Sequence, residues 1–291
     1  VGPQNASLTA NPQTAGEGAT ITFNATVVAP AIDTLTYAWN FGDGDTTTTS
    51  GSQVTHQYGN NGVYQVIVTV TDDDNATVSS TPVQVTINNL PPTASFSANP
   101  QNTDENNLTI DFDAGASADP GNDPLTYSWD FGDGSPTVSG AQAQVSHDYT
   151  DSGSYTVNLT VTDDNGASDS ASLTVDIQNL PPSGVSITGP ASMPVGGTET
   201  YSGSGSDIAG DPLTFEWFVD GNSQGTGTSF DFSPAVSGTY TIELQVTDDE
   251  GSSASNSISV TVNSFIPLGW IGLPFIWQRL RRRWQSGKPN R

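Results

Sequence analysis

One string of residues recurs along this chain at a spacing that sets the size of its folding unit. Leu35-Thr-Tyr-Ala-Trp39-Asn-Phe-Gly-Asp-Gly44 returns as Leu125-Thr-Tyr-Ser-Trp129-Asp-Phe-Gly-Asp-Gly134, and more loosely as Leu213-Thr-Phe-Glu-Trp217-Phe-Val-Asp-Gly221. The Trp-to-Trp spacings are 90 and 88 residues. A second landmark follows each copy: Gly62-Val-Tyr64 with Val70-Thr-Asp72, Gly153-Ser-Tyr155 with Val161-Thr-Asp163, and Gly238-Thr-Tyr240 with Val246-Thr-Asp248. A period this long is a small domain rather than a solenoid turn. The copies are joined by Asn88-Asn-Leu-Pro-Pro92 and Gln178-Asn-Leu-Pro-Pro182, whose paired prolines favour an extended, stiff connection. The divisions that follow are residues 1–88, 89–178, 179–263 and a tail, 264–291.

Within a copy the hydrophobic period is two. Leu125, Tyr127, Trp129 and Phe131 alternate with Thr126, Ser128 and Asp130, which places one set on a core and the other in water along a half-buried strand. Tyr155, Val157, Leu159 and Val161 alternate in the same way before an Asp-Asp-Asn-Gly turn. Asp- and Gly-rich turns between alternating runs signal hairpins. About seven short strands per copy, with one Trp on a central strand, predict an all-β protein of three tandem immunoglobulin-like sandwiches in an elongated array.

Charge is segregated as sharply as sequence. All 6 basic residues fall at or after Arg279, and all 31 carboxylates precede it. The body has nothing with which to neutralise phosphates, so nucleic acid is excluded as a partner. Its acidity points instead to solubility, cation binding or life in salt. With 0 Cys, thiol chemistry, disulfides and zinc–thiolate sites are excluded. The chain opens on Val1 and is read as an exported protein whose leader has been removed, or as an excerpt.

The Trp-Asp-Phe-Gly-Asp-Gly string, His56 with Tyr58, His147 with Tyr149, and the Gly-x-Tyr…Val-Thr-Asp string resemble the PKD (polycystic kidney disease) domain family over about nine-tenths of the chain. The resemblance implies an extracellular β-sandwich module used for spacing or binding. In some relatives the loop before the Trp strand, with the inter-domain linker, holds Ca²⁺. The positions carried over are Asp119 and Asp123 in the second copy and Asp207 and Asp211 in the third. Calcium takes six to eight oxygen ligands, which short Asp/Asn turns supply; the same residues also serve simply as turn formers. The first copy offers only Asp33 there.

Other polar features receive blander readings. The turns at Asp72-Asp73-Asp74, Asp163-Asp164 and Asp248-Asp249-Glu250 are expected to be solvated hairpin tips. His56 and His147, at one repeat position, are expected to make a structural hydrogen bond. Trp39, Trp129 and Trp217 are expected in the core. No nucleophile elbow or phosphate loop occurs, and no enzyme activity is expected. Asn5, Asn24, Asn75, Asn107 and Asn158 begin glycosylation sequons.

The tail differs in kind. Phe265 to Trp277 is apolar but too short, and too interrupted by Gly and Pro, for a transmembrane helix. From Pro274 a basic amphipathic helix is expected, with Trp277, Leu280 and Trp284 on one stripe and Arg281, Arg282 and Arg283 around it. Trp270, ahead of that helix, and Phe275 are counted with it as membrane- or partner-docking positions of the tail. Three uses are open: docking on an anionic membrane or membrane complex, a sorting signal removed after export, or contact with a neighbouring copy in a filament or layer. The reading adopted is a non-enzymatic cell-surface arm for spacing, adhesion and protein interaction, attached by its tail. A structural subunit of a surface assembly and an accessory module of a secreted hydrolase are the alternatives.

Overall fold

A computed structural model describes residues 2–208 and 211–264. All regular structure among these residues is β, in three sandwiches of two sheets each. In the first, one sheet has the order Gln4–Asn11, Thr20–Val28, Gln53–Gln57. The other runs Thr14–Gly16, Val83–Asn88, Gly62–Thr71, Thr36–Asn40, Thr46–Thr49, with Thr77–Ser79 also paired to Gly62–Thr71. The pairings are antiparallel except that of Thr14–Gly16 with Val83–Asn88. The second and third sandwiches repeat this order. The chain divides into two compact units, residues 1–178, which hold the first two sandwiches, and residues 179–291.

The alternation read from the sequence is the burial observed. Tyr37 and Trp39 are buried while Thr36, Ala38 and Asn40 are exposed, and Val70 and Val68, their partners on the neighbouring strand of the same sheet, are buried beside them. Each sandwich closes a separate core around its Trp: Trp39 with Phe23 and Tyr58, Trp129 with Phe112 and Tyr149, Trp217 with Tyr201 and Phe232. Burying side chains of this size contributes roughly 1.5–3 kcal/mol each.

The Gly-Asp-Gly turn is tied to glycine by contact as well as conformation. Gly42 and Gly132 have φ of 85° and 79°, and a Cβ there would lie 2.7 Å from the Gln65 carbonyl oxygen and 2.4 Å from that of Thr156. The third copy shortens this turn: Asp220, at φ 45°, accepts a hydrogen bond from the Thr241 amide at 2.8 Å.

Candidate cation site at the loop before the second domain's Trp strand

The loop between Ala118 and Leu125 is folded around one side chain. Asp119 Oδ1 accepts the backbone N–H of Gly121 at 2.7 Å and of Asp123 at 3.3 Å. This draws the loop into a tight turn and leaves Asp119 Oδ2 buried with no hydrogen-bond partner. Asp123, at the far end of the turn, is folded back beside it. Both carboxylates are 8% exposed.

A third carboxylate meets them. Glu17 follows the short strand Thr14–Gly16; its N–H donates to the Asn88 carbonyl at 3.2 Å, and that of Gly18 to Tyr58 at 3.0 Å. Glu17 is 3% exposed, its Oε2 accepts the Leu90 N–H at 3.4 Å, and its Oε1 has no partner. Ligand atoms of Glu17, Asp119 and Asp123 lie within 4.8 Å of one another. Asn165, with its amide turned so that Nδ2 faces the acids, donates to Asp123 Oδ2 at 3.0 Å and Asp164 Oδ1 at 3.3 Å.

Electrostatics make this arrangement untenable on its own. At an effective dielectric near 20, two like charges about 5 Å apart repel by about 3 kcal/mol, and three buried carboxylates make three such pairs. Burial, then Glu17, Asp164, Asp119 and Asp163, push Asp123 up to about 6. Among the described residues no Lys or Arg answers them, since none stands before Arg279. The two histidines are engaged elsewhere, His56 Nε2 with Asp43 at 2.6 Å and His147 Nε2 with Asp133 at 2.7 Å. A proton or a solute cation can supply the missing charge. The donors are all hard oxygens, two of them buried without partners, which fits Ca²⁺ rather than a metal preferring nitrogen or sulfur.

Residues 3–87, 89–178 and 179–262 each match the PKD domain. The chain belongs to the PKD domain family. Pre-pro-metalloprotease PrtV of Vibrio cholerae is 28% identical over 177 residues, covering 61% of this chain and 18% of PrtV. The dyslexia-associated protein KIAA0319 of Homo sapiens is 30% identical over 220 residues, covering 69% of this chain and 20% of that protein. The PKD chain thus spans a fifth or less of these relatives' length. Among solved structures, the PKD1 domain of Vibrio anguillarum Epp is 33% identical and covers 32% of this chain and 100% of its own, with a TM-score of 0.27.

The other expected positions fall out unevenly over the PKD copies. Asp207 Oδ1 accepts the Ile208 N–H at 2.6 Å and its Oδ2 is buried without a partner. Asp211 is half-buried, and two of the three residues between them in that loop, 209 and 210, lie outside the described residues. The tail positions, Trp270, Phe275, Trp277, Leu280, Arg281, Arg282, Arg283 and Trp284, also lie outside them. No helix among the described residues is long and apolar enough to cross a membrane. Of the sequon asparagines, Asn5, Asn75, Asn107 and Asn158 are exposed; Asn24 is half-buried and its Oδ1 accepts from Gln53 at 2.8 Å.

One acid escapes a reading of the sequence, and the reading of three others needs correction. Glu17 carries no local motif, and only its meeting with a loop about a hundred residues away reveals it. The first Asp of each Asp-rich turn is not solvated: Asp72, Asp163 and Asp248 are buried. Each ties its own turn, as Asp163 does by accepting the Asn165 and Ala167 N–H groups at 3.0 and 2.8 Å. Asp163 and Asp248 also accept Nδ2 of the linker residues Asn89 and Asn179, at 3.0 and 3.1 Å. The histidines do make the expected structural bond, each ring lying flat on Phe41 or Phe131 at 4.0 and 3.9 Å.

Proposed function

We propose that this chain is a non-enzymatic, extracellular spacer and interaction arm, attached through its C-terminal segment, with Ca²⁺ held at Asp119 and Asp123 as a structural ion. The observation that carries this reading is the character of the side chains that converge beside the Asp119 loop. They are three carboxylates with the Asn165 amide beside them, an arrangement suited to holding a cation and lacking any nucleophile–base pair. The solvent faces of the strands carry Thr, Ser, Asn and Asp, as in Thr46–Thr49 and Ser168–Gln178, which keeps the modules soluble and separate. Opposite charge in body and tail favours attachment at one end only. Relatives that share these domains include a pre-pro-metalloprotease and a microbial collagenase of Vibrio alginolyticus, proteins in which a PKD stretch is one part among others.

External protease applied to intact source cells tests the placement. Antibody against residues 1–178 should lose its signal while an interior marker protein stays whole. A body that becomes cleavable only after lysis overturns the reading.

A further inference from the structure

We propose that this cation site belongs to the pair of domains and not to the second domain alone: Glu17 of the first domain completes the ligand set of Asp119 and Asp123, so that one Ca²⁺ clamps domain one to domain two. The proposal rests on the reading of Asp119 and Asp123 as a Ca²⁺ site.

Glu17 is held for this task by backbone rather than by side chain. Its N–H bond to Asn88 and the Gly18 bond to Tyr58 fix it at the end of the first sandwich that the linker leaves. There the two domains meet main chain to main chain. A Cβ on Gly18, at φ 71°, would lie 2.8 Å from the Pro120 carbonyl oxygen; one on Gly121 would lie 2.6 Å from that of Gly59 and 3.0 Å from Glu17 Oε2. Only glycine permits this approach, which brings Glu17 onto the Asp119 turn. The single long bond from Leu90 leaves Glu17 Oε1 buried and unpartnered. A buried carboxylate without a counter-charge is costly, and the described residues contain no Lys or Arg to provide one. If the bond to Leu90 were its whole purpose, a neutral glutamine would serve better.

The repeat itself carries the same division of labour. The residue after the short parallel strand is Glu17 in the first copy and Glu105, 2% exposed, in the second. In the third copy that place is taken by Val195, whose N–H makes the equivalent bond to Asn263 at 3.0 Å. Backbone geometry is kept and the acid is dropped. The paired aspartates stand in the second and third copies, whereas the first has Asp33 alone.

Calcium titration of the full chain, stripped with chelator and followed by calorimetry, tests the clamp against Glu17→Gln and Asp123→Asn. Wild type should bind, and each variant should lose at least about tenfold in affinity for this site. In chelator Glu17→Gln should melt no lower than wild type, since a buried charge is removed; in Ca²⁺ it should melt lower. Amide exchange at Leu90 should slow on adding Ca²⁺ in wild type and not in Glu17→Gln. Undiminished binding by Glu17→Gln, with binding lost in Asp123→Asn, overturns the clamp and leaves a site within domain two. Wild type that ignores Ca²⁺ in calorimetry, melting and exchange overturns the clamp and the underlying reading together.

Discussion

Trp39 donates its indole N–H to the Thr49 hydroxyl at 2.9 Å, while its counterpart Trp129, equally buried, has Gly140 at the matching place and no acceptor among the protein atoms. The register makes the match secure: Tyr37 pairs with Thr49, and Tyr127 with Gly140. The third domain solves the problem differently, Gly227 turning its carbonyl to Trp217 Nε1 at 2.8 Å with a φ of 129°. A Cβ on Gly140 meets nothing within 4 Å. Gly140→Thr should therefore stabilise the second domain by about 1 kcal/mol, the ordinary net worth of a buried hydrogen bond. Urea unfolding measures this, and an unchanged or lower midpoint would count against it. Thr49→Val should cost roughly 1–3 kcal/mol in the first domain by the same argument.

Gly132→Ala tests the turn after the Trp strand. Its φ of 79° and the 2.4 Å approach of a Cβ to the Thr156 carbonyl oxygen act together. Strain at such a φ costs about 1–3 kcal/mol, and the main-chain contact cannot be relieved by a rotamer change. We expect a loss of about 2 kcal/mol or more in denaturant unfolding. A loss below about 0.5 kcal/mol would mean that the turn can shift away from the following strand.

The carboxylate cluster predicts an unusual pH response in the absence of divalent cations. Asp123 is pushed up to about 6, by burial first and then by Glu17, Asp164, Asp119 and Asp163. The ordinary Asp value is about 3.9, so between these values the folded protein holds a proton that the unfolded chain has released. Stability from this group is present below about pH 4 and is lost as pH rises through about 6. Melting temperature in chelator should fall across that window, and Ca²⁺ should remove the fall. A flat profile in chelator would show that the three acids do not interact as their proximity requires.

Asp133 predicts the opposite sign in a lower window. Burial alone would push it up, but hydrogen bonds from Ser135 and His147, with the His147 charge, outweigh this and hold it at about 2. Its contribution is present above about pH 4 and is lost as pH falls through about 2. His147→Gln should make the second domain unfold at higher pH on acidification. Tryptophan fluorescence during acid titration checks this, and coincident curves for variant and wild type would refute it.

What the sequence makes legible is whatever repeats or alternates locally. Strand alternation, the core tryptophans, the histidine bonds and the threefold repeat all depend on neighbours within a few residues or on comparing one copy with another. The first acid of each Asp-rich turn was misread because Asp163 is buried by its own turn and by Asn89, 74 residues earlier in the chain. The orphaned indole of Trp129 was invisible for a related reason, since Gly140 is an ordinary glycine until its register opposite Tyr127 is known.

The sequence by itself determined the number of domains, their sandwich form and the exclusion of basic counter-charges from the body, because side-chain period, turn chemistry and composition are properties of the chain. Only the tertiary structure decided that Glu17 meets Asp119 and Asp123. That meeting depends on Gly18 and Gly121 letting two main chains approach closely, and no local pattern encodes a distance between residues about a hundred positions apart. The two facts combine in one physical statement: a chain without cations in its body has packed three acids together, and no Lys or Arg among the described residues balances them.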